Sequence, residues 1–242
     1  MPHGNRDYGI GAPKWTIYPL TDLGELAARL GSPVTFDRRG DVIWIEDFES
    51  SLNKWDPTTW GVGSGIFITN DRSRSGNFSC KMITGPIAND RAYMEHFLPL
   101  PVLSKMGIEF SFAGMNNIKY LTLETHLYEH EYQHHAHIRY DWPHRSLKYF
   151  DPHSTFHTFY YPYDIHDEDR LFNTLKAVID FPNGKYDRVI VNDQSFDISQ
   201  YTYYKPGPAV VFFLYIAIEI TTNVNANAYT YIDDVIITQN EP

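Results

Sequence analysis

From Val42 onward the sequence is a succession of short segments rich in β-branched and aromatic residues, the types that fit a pleated, half-buried surface. VIWIEDF, GIFITND, FSCKMIT, MGIEFSFAG, YLTLETHLY, HAHIRYDW, LKYFD, TLKAVIDF, DRVIVND, VVFFLYIAIEI and YTYIDDVIIT all read as strands. Turn chemistry separates them: Asn183-Gly184 and Asn192-Asp193 each mark a hairpin. No alternation of strands with helices follows residue 42, so a parallel sheet is not expected. The expected fold is all-β, an antiparallel β-sandwich of jelly-roll type spanning residues 41–242.

Residues 1–40 differ in kind. The first 20 are rich in glycine, proline and aromatics without periodicity and read as an extended arm. In TDLGELAARLGSP, Thr21 or Asp22 caps a short helix and Glu25 completes a capping box. Leu23, Leu26, Ala27 and Leu30 form its apolar stripe, and Gly31 and Pro33 end it. Three turns are not stable alone, so this helix is expected to dock on the sandwich or on another subunit.

Composition excludes several classes. A net charge of −10 argues against a nucleic-acid groove lined by lysine and arginine. No apolar run is long enough to span a membrane, and MPHGNRDYGIGAPK lacks the apolar core of a signal peptide. Synthesis in the cytoplasm without export is the expectation. Cys80 is the single cysteine, which rules out an internal disulfide. It shares a strand face with Phe78 and Met82 and reads as a buried, inert thiol.

The densest chemistry lies in HLYEHEYQHHAHIRYDWPH, residues 126–144, which holds six of the eleven histidines. Read as a hairpin, it places Leu121, Leu123, Thr125 and Leu127 on one face, opposite Tyr120, Thr122, Glu124, His126 and Tyr128. Ala136, Ile138, Tyr140 and Trp142 likewise alternate with His135, His137, Arg139 and Asp141. Glu124 and His126 can then face His135 and His137 across the ladder, where opposed Cβ atoms lie about 5 Å apart. That set is adequate for Zn²⁺ or another borderline metal. A solvated sheet face or a pH-sensitive interface would use the same residues.

Catalytic sets are incomplete. His135, His137 and Asp141 echo the His-x-His motif of cupins without its glycines. Glu124, Glu129 and Glu131 do not repeat the carboxylate spacing of laminarinase-like glycoside hydrolases. No nucleophile elbow or phosphate loop occurs. The expectation is therefore not an enzyme, with a cupin-like or glycoside-active enzyme as the remote alternative.

IEDFESSLNKW, SRSGNFSCKM and the closing YIDDVIIT resemble the jelly-roll modules related to carbohydrate-binding modules, over roughly residues 42–238. LKAVIDFPNGKYDRVIVNDQSF is similar to a hairpin frequent in concanavalin A-like sandwiches. The resemblance implies neighbouring first and last strands with a structural Ca²⁺ beside them, held by Asp47, Asp71 and Asp234 with Glu46 and Asp233 behind. Carboxylate oxygens suit that ion. No cofactor is required by this reading. Acids that merely discourage edge-to-edge sheet pairing are its alternative.

Aromatics supply the remaining candidates. Phe159, Tyr160, Tyr161 and Tyr163 crowd the stretch FDPHSTFHTFYYPYD, and Tyr128, Tyr132, Arg139 and Trp142 belong to the histidine hairpin. Such residues pack in the core or loops of a sandwich, anchor protein interfaces or stack on sugars. The arm and helix also resemble those of phage or virus structural proteins. The expected function is thus a non-catalytic homo-oligomeric assembly protein, joined to other subunits through the arm and helix and located in a virion. A carbohydrate-binding module with a structural calcium is the alternative.

Overall fold

The computed structural model describes residues 39–99, 102–129, 132–223 and 225–242. The expected arm and helix lie outside the described residues. The rest is a two-sheet antiparallel sandwich. One sheet runs in the spatial order β13 (Gln194–Asp197), β12 (Lys185–Val191), β11 (Asn173–Asp180), β6 (Lys105–Asn116), β15 (Tyr229–Gln239), β4 (Ser79–Ile83) and β3 (Gly65–Thr69). Its eighth strand, β1 (Asp41–Glu46), pairs with the far half of β15. The other sheet runs β10 (Phe156–Tyr160), β9 (Ser146–Phe150), β8 (Gln133–Asp141), β7 (Ile118–Tyr128), β14 (Phe213–Thr222), β5 (Arg91–Pro99) and β2 (Asp56–Thr59).

The eleven expected strands are all present, and both hairpins form: Asn192 and Gly184 take the positive φ angles of 54° and 67° that their turns need. β2, β5, β10 and β13 were not expected. β2 starts Asp56-Pro57, and a proline without an N–H is tolerated because this strand is a sheet edge. β5 reads RAYMEHFLP, and its inward members Ala92, Met94, His96 and Leu98 are too mixed in type to announce their alternation.

The core lies between the sheets. Ile108, Phe110, Leu175, Ala177, Val189, Ile232 and Ile237 meet Met94, Leu121, Leu123, Ile138, Ile216 and Ile218, all at most 2% exposed. Cys80 is fully buried among them, and burial pushes its thiol far up. β15 carries a bulge between Asp233 and Ile236, with Asp234 at φ 47°. Here its neighbour on one side changes from β4 to β1. A buried network, Lys176 Nζ to Glu241 Oε1 at 2.7 Å and Arg188 Nη2 to Glu241 Oε2 at 2.6 Å, fastens the segment after β15 to β11 and β12.

One inter-sheet contact shapes the site. Tyr186 of β12 reaches across the core, fully buried, and places its hydroxyl between β8 and β9. The hydroxyl accepts from the His137 N–H at 3.0 Å and the Phe150 N–H at 3.2 Å. It donates to the carbonyl of Phe150 at 2.9 Å or of His137 at 3.1 Å.

Candidate functional site on the seven-stranded sheet

Register decides which side chains meet on the outer face of this sheet. Ala217 of β14 pairs with Glu95 on one side and Glu124 on the other, and Glu124 pairs with His137. β2 adds Asp56 opposite Glu95, giving the row Asp56–Glu95–Ala217–Glu124–His137. One pleat away lie Phe97–Tyr215–His126–His135, and on the other side Thr58–Tyr93–Glu219–Thr122–Arg139–Lys148. These rows share one face because side chains alternate with period two. The hairpin faces are as expected for both β7 and β8, and no register slip intervenes.

Three imidazoles converge at one end of these rows. One ring nitrogen from each of His126, His135 and His137 lies within 4.8 Å of the others. Among the described residues this is the one group of three potential metal ligands so arranged. His126 Nε2 and His137 Nε2 are 2.7 Å apart, and the His126 and His135 rings stack with centroids at 3.9 Å. Glu124 Oε2 stands 4.0 Å from His126 Nε2. His135 Nε2 is buried without a hydrogen-bond partner. Burial holds all three rings neutral: His126 falls to about 2, His137 to about 3 and His135 to about 4, with the neighbouring histidines adding to the effect. Phe150 stacks on His137 at 4.5 Å and Tyr215 on His126 at 4.7 Å.

Ala217 opens the adjacent space. Its short side chain floors a cleft of about 250 Å³ walled by Trp60, Arg91, Tyr93, Glu95, Glu124, Tyr215 and Glu219. Tyr215 donates its hydroxyl to Glu95 Oε1 at 2.8 Å, and Arg91 Nη1 reaches Glu219 Oε2 at 3.3 Å while lying over the Trp60 ring. Burial, and then the charge of Glu219, push the Glu124 carboxyl up to about 7. Arg139 of the same face is held by Thr122 Oγ1 at 3.0 Å and stacked between Tyr120 and Phe156. The sequence marks β14 as a strand but shows no clear alternation over β5, so Tyr93 and Glu95 carry no local signal. Trp60 was hidden in a loop.

The terminal-strand acids divide into two groups. Glu46 is buried against Lys54 at 3.1 Å, and Asp71 is exposed and paired with Lys81 at 3.1 Å. Both are therefore neutralised by cations of the chain itself. Asp233 spends its oxygens on the N–H groups of Arg74, Ser75 and Asp234. Asp234 accepts from Ser75 Oγ at 2.7 Å, and its Oδ2 is buried with no partner. Burial and the charges of Asp47 and Glu49 raise its pKa, while Asp233 rises to about 7 through burial and then Asp234. An orphaned, buried carboxylate oxygen beside the charges of Asp47 and Glu49 is the kind of donor a hard cation would take. Asp71, exposed and paired with Lys81, does not fit that role, whereas Glu46 Oε2 is also buried without a hydrogen-bond partner, with Lys54 beside it.

The aromatic candidates also separate. Tyr128 and Arg139 are half-buried on the outer face, and Tyr132, Tyr160 and Tyr161 are exposed. Phe159 and Trp142 pack partly against the core. Tyr163 is not a surface residue: it is 5% exposed, and its hydroxyl donates to the Val191 carbonyl at 2.8 Å. A buried phenol needs such a partner, and the turn after β10 brings it one.

No family model matches the sequence, and no curated protein matches it. Among solved structures, the chain is similar to an endo-β-1,4-glucuronan lyase from the fungus Trichoderma reesei, with TM-score 0.56 and 10% identity over 82% of this chain and 95% of that one. It is also similar to a family 61 carbohydrate-binding module in complex with β-1,4-galactotriose, with TM-score 0.41 and 8% identity over 80% and 94% of the two chains. The first xylan-binding domain of a Paenibacillus barcinonensis protein gives TM-score 0.41 and 12% identity over 84% and 97%. These likenesses are to carbohydrate-binding modules and related sandwiches, and at such identities they concern the fold.

Proposed function

We propose that this protein is a carbohydrate-binding sandwich whose glycan site is the outer face of the seven-stranded sheet. The observation that carries the reading is the cleft over Ala217. Tyr93, Tyr215 and Trp60 offer ring faces there, while Glu95, Glu124, Glu219 and Arg91 offer hydrogen-bonding groups a few ångströms away. A sugar ring needs that combination, because its C–H patches pack on aromatic faces and its hydroxyls pair with carboxylates and guanidinium groups. Three carboxyl groups against one guanidinium favour a neutral, hydroxyl-rich glycan over a polyanion. The fold shared with a lyase that acts on a glucuronan is compatible with such a site. The cleft supports the glycan reading over the particle-assembly one.

Binding to neutral and acidic polysaccharides by affinity electrophoresis and calorimetry tests this. Wild-type protein is expected to bind a neutral glycan, and Trp60→Ala and Tyr215→Ala are each expected to weaken it about tenfold, roughly the 1.4 kcal/mol of a lost stacking contact. Trp60 is 39% exposed, so its removal leaves the core intact. Absence of binding to any glycan, or variants that bind like wild type, would overturn the proposal. Release of reducing ends, abolished by Glu124→Gln, would replace it with a hydrolytic one.

The terminal-strand acids support a structural Ca²⁺ in the same protein. At a hundredfold excess over Kd, calcium is expected to stabilise the fold by about 2.7 kcal/mol, a rise of roughly 5–10 °C in Tm. Asp234→Asn should abolish the rise. A melting temperature indifferent to both calcium and chelator would remove the ion from this account.

A further inference from the structure

We propose that His126, His135 and His137 form a transition-metal site, with Zn²⁺ as the first candidate ion. This rests on the sheet register and is independent of the glycan reading. Two strands deliver the donors: His135 and His137 are two residues apart on β8, and His126 lies directly opposite His135 on β7. Strand geometry thus presents three imidazoles to one point without any loop having to move. Imidazole nitrogen is a good ligand for zinc, copper, nickel and cobalt, and a poor one for calcium and magnesium.

The bare site carries the marks of missing coordination. His126 Nε2 and His137 Nε2 approach to 2.7 Å, a hydrogen bond between two rings that share one proton. His135 Nε2, buried and stacked on His126, has no partner at all. Buried ring nitrogens normally find one. Zinc–nitrogen bonds of 2.0–2.1 Å in a tetrahedron put ligand nitrogens about 3.3 Å apart. The His126 and His137 rings would therefore open by about half an ångström, within the reach of small χ rotations.

The surroundings supply the rest of a metal centre. Glu124 Oε2, 4.0 Å from His126 Nε2, is placed to become a fourth ligand or to hold a metal-bound water. Tyr128 Oη lies 3.5 Å from His126 Nδ1, where it can accept the proton of the ring nitrogen facing away from the metal. Phe150 and Tyr215 cover the faces of His137 and His126 and fix their planes. Three protein imidazoles with a carboxyl beside an open position make a site that can bind a further ligand.

The test uses the full chain stripped of metal with chelator and titrated with Zn²⁺ against a colorimetric competitor. One ion per chain is expected, with His126→Ala and His137→Ala each weakening affinity about 100-fold. Both variants must keep the wild-type circular dichroism. Should His137→Ala misfold, the Co²⁺-loaded wild type still decides. Intense visible bands of a four-coordinate nitrogen-ligated ion support the site, and a weak six-coordinate aqueous-type spectrum overturns it. Sub-stoichiometric uptake by wild type, or variants that bind as tightly as wild type, would equally overturn it.

Discussion

Acidification through about pH 6.5 to 5 is expected to destabilise this sandwich in the absence of metals. Five imidazoles are held below their ordinary pKa by burial, namely His96, His126, His134, His135 and His137. The folded state keeps them neutral, while the unfolded chain protonates them near pH 6.5. Their contribution is complete above that value and is lost as pH falls towards the folded pKa values of about 2, 3 and 4 for His126, His137 and His135.

Raised carboxyls oppose this. Glu124 and Asp233, both near 7 in the fold, and in part Asp234, carry protons that the unfolded chain releases above about pH 4. Near pH 5.5 unfolding takes up about three protons on His126, His135 and His137 and releases about two from Glu124 and Asp233, a net uptake of about one, to which His96 and His134 add and from which Asp234 subtracts. One net proton corresponds to a slope of about 1.4 kcal/mol per pH unit. Urea unfolding at stepped pH, in chelator, measures the slope directly. Stability that is flat or rising as pH falls from 7 to 5 would show that the imidazoles are not the dominant titrating groups.

Replacing Tyr186 by phenylalanine is expected to cost about 3–5 kcal/mol, a large loss for the removal of a single oxygen. The hydroxyl sits where β8 and β9 stop pairing after Ile138 and Tyr149. It occupies the place of a bridging water, serving the N–H groups of His137 and Phe150 and one of their carbonyls. Phenylalanine fills the same space but leaves both amides unsatisfied, at about 1–3 kcal/mol each. Denaturant unfolding gives the cost, and hydrogen exchange at the His137 and Phe150 amides locates it. A loss under about 1 kcal/mol, with those amides still protected, would mean that β8 and β9 close on each other without the phenol. Because His137 is one of the three converging imidazoles, the same variant should also loosen that cluster.

Much of this was legible from residues alone. Period-two alternation assigns β7 and β8 their inner and outer faces, because a strand has only two sides and burial of leucine selects one. Asn183-Gly184 and Asn192-Asp193 announce their hairpins, because few residues tolerate positive φ. The convergence of His126, His135 and His137 follows from the same two facts once the hairpin register is known.

Partners that are distant in sequence were decided only by the fold. β5 lies beside β14, some 120 residues away, and this alone brings Glu95 to Tyr215 and across Ala217 from Glu124. Asp233 and Asp234 meet the loop of Arg74 and Ser75, 159 residues away, only through folding, and Asp234 is left there with an orphaned oxygen. The insertion of Tyr186 between strands of the opposite sheet likewise has no local signal. Alternation is a property of one strand and is written in its residues. Which strands become neighbours depends on how two whole sheets pack, and that information is spread over the entire core.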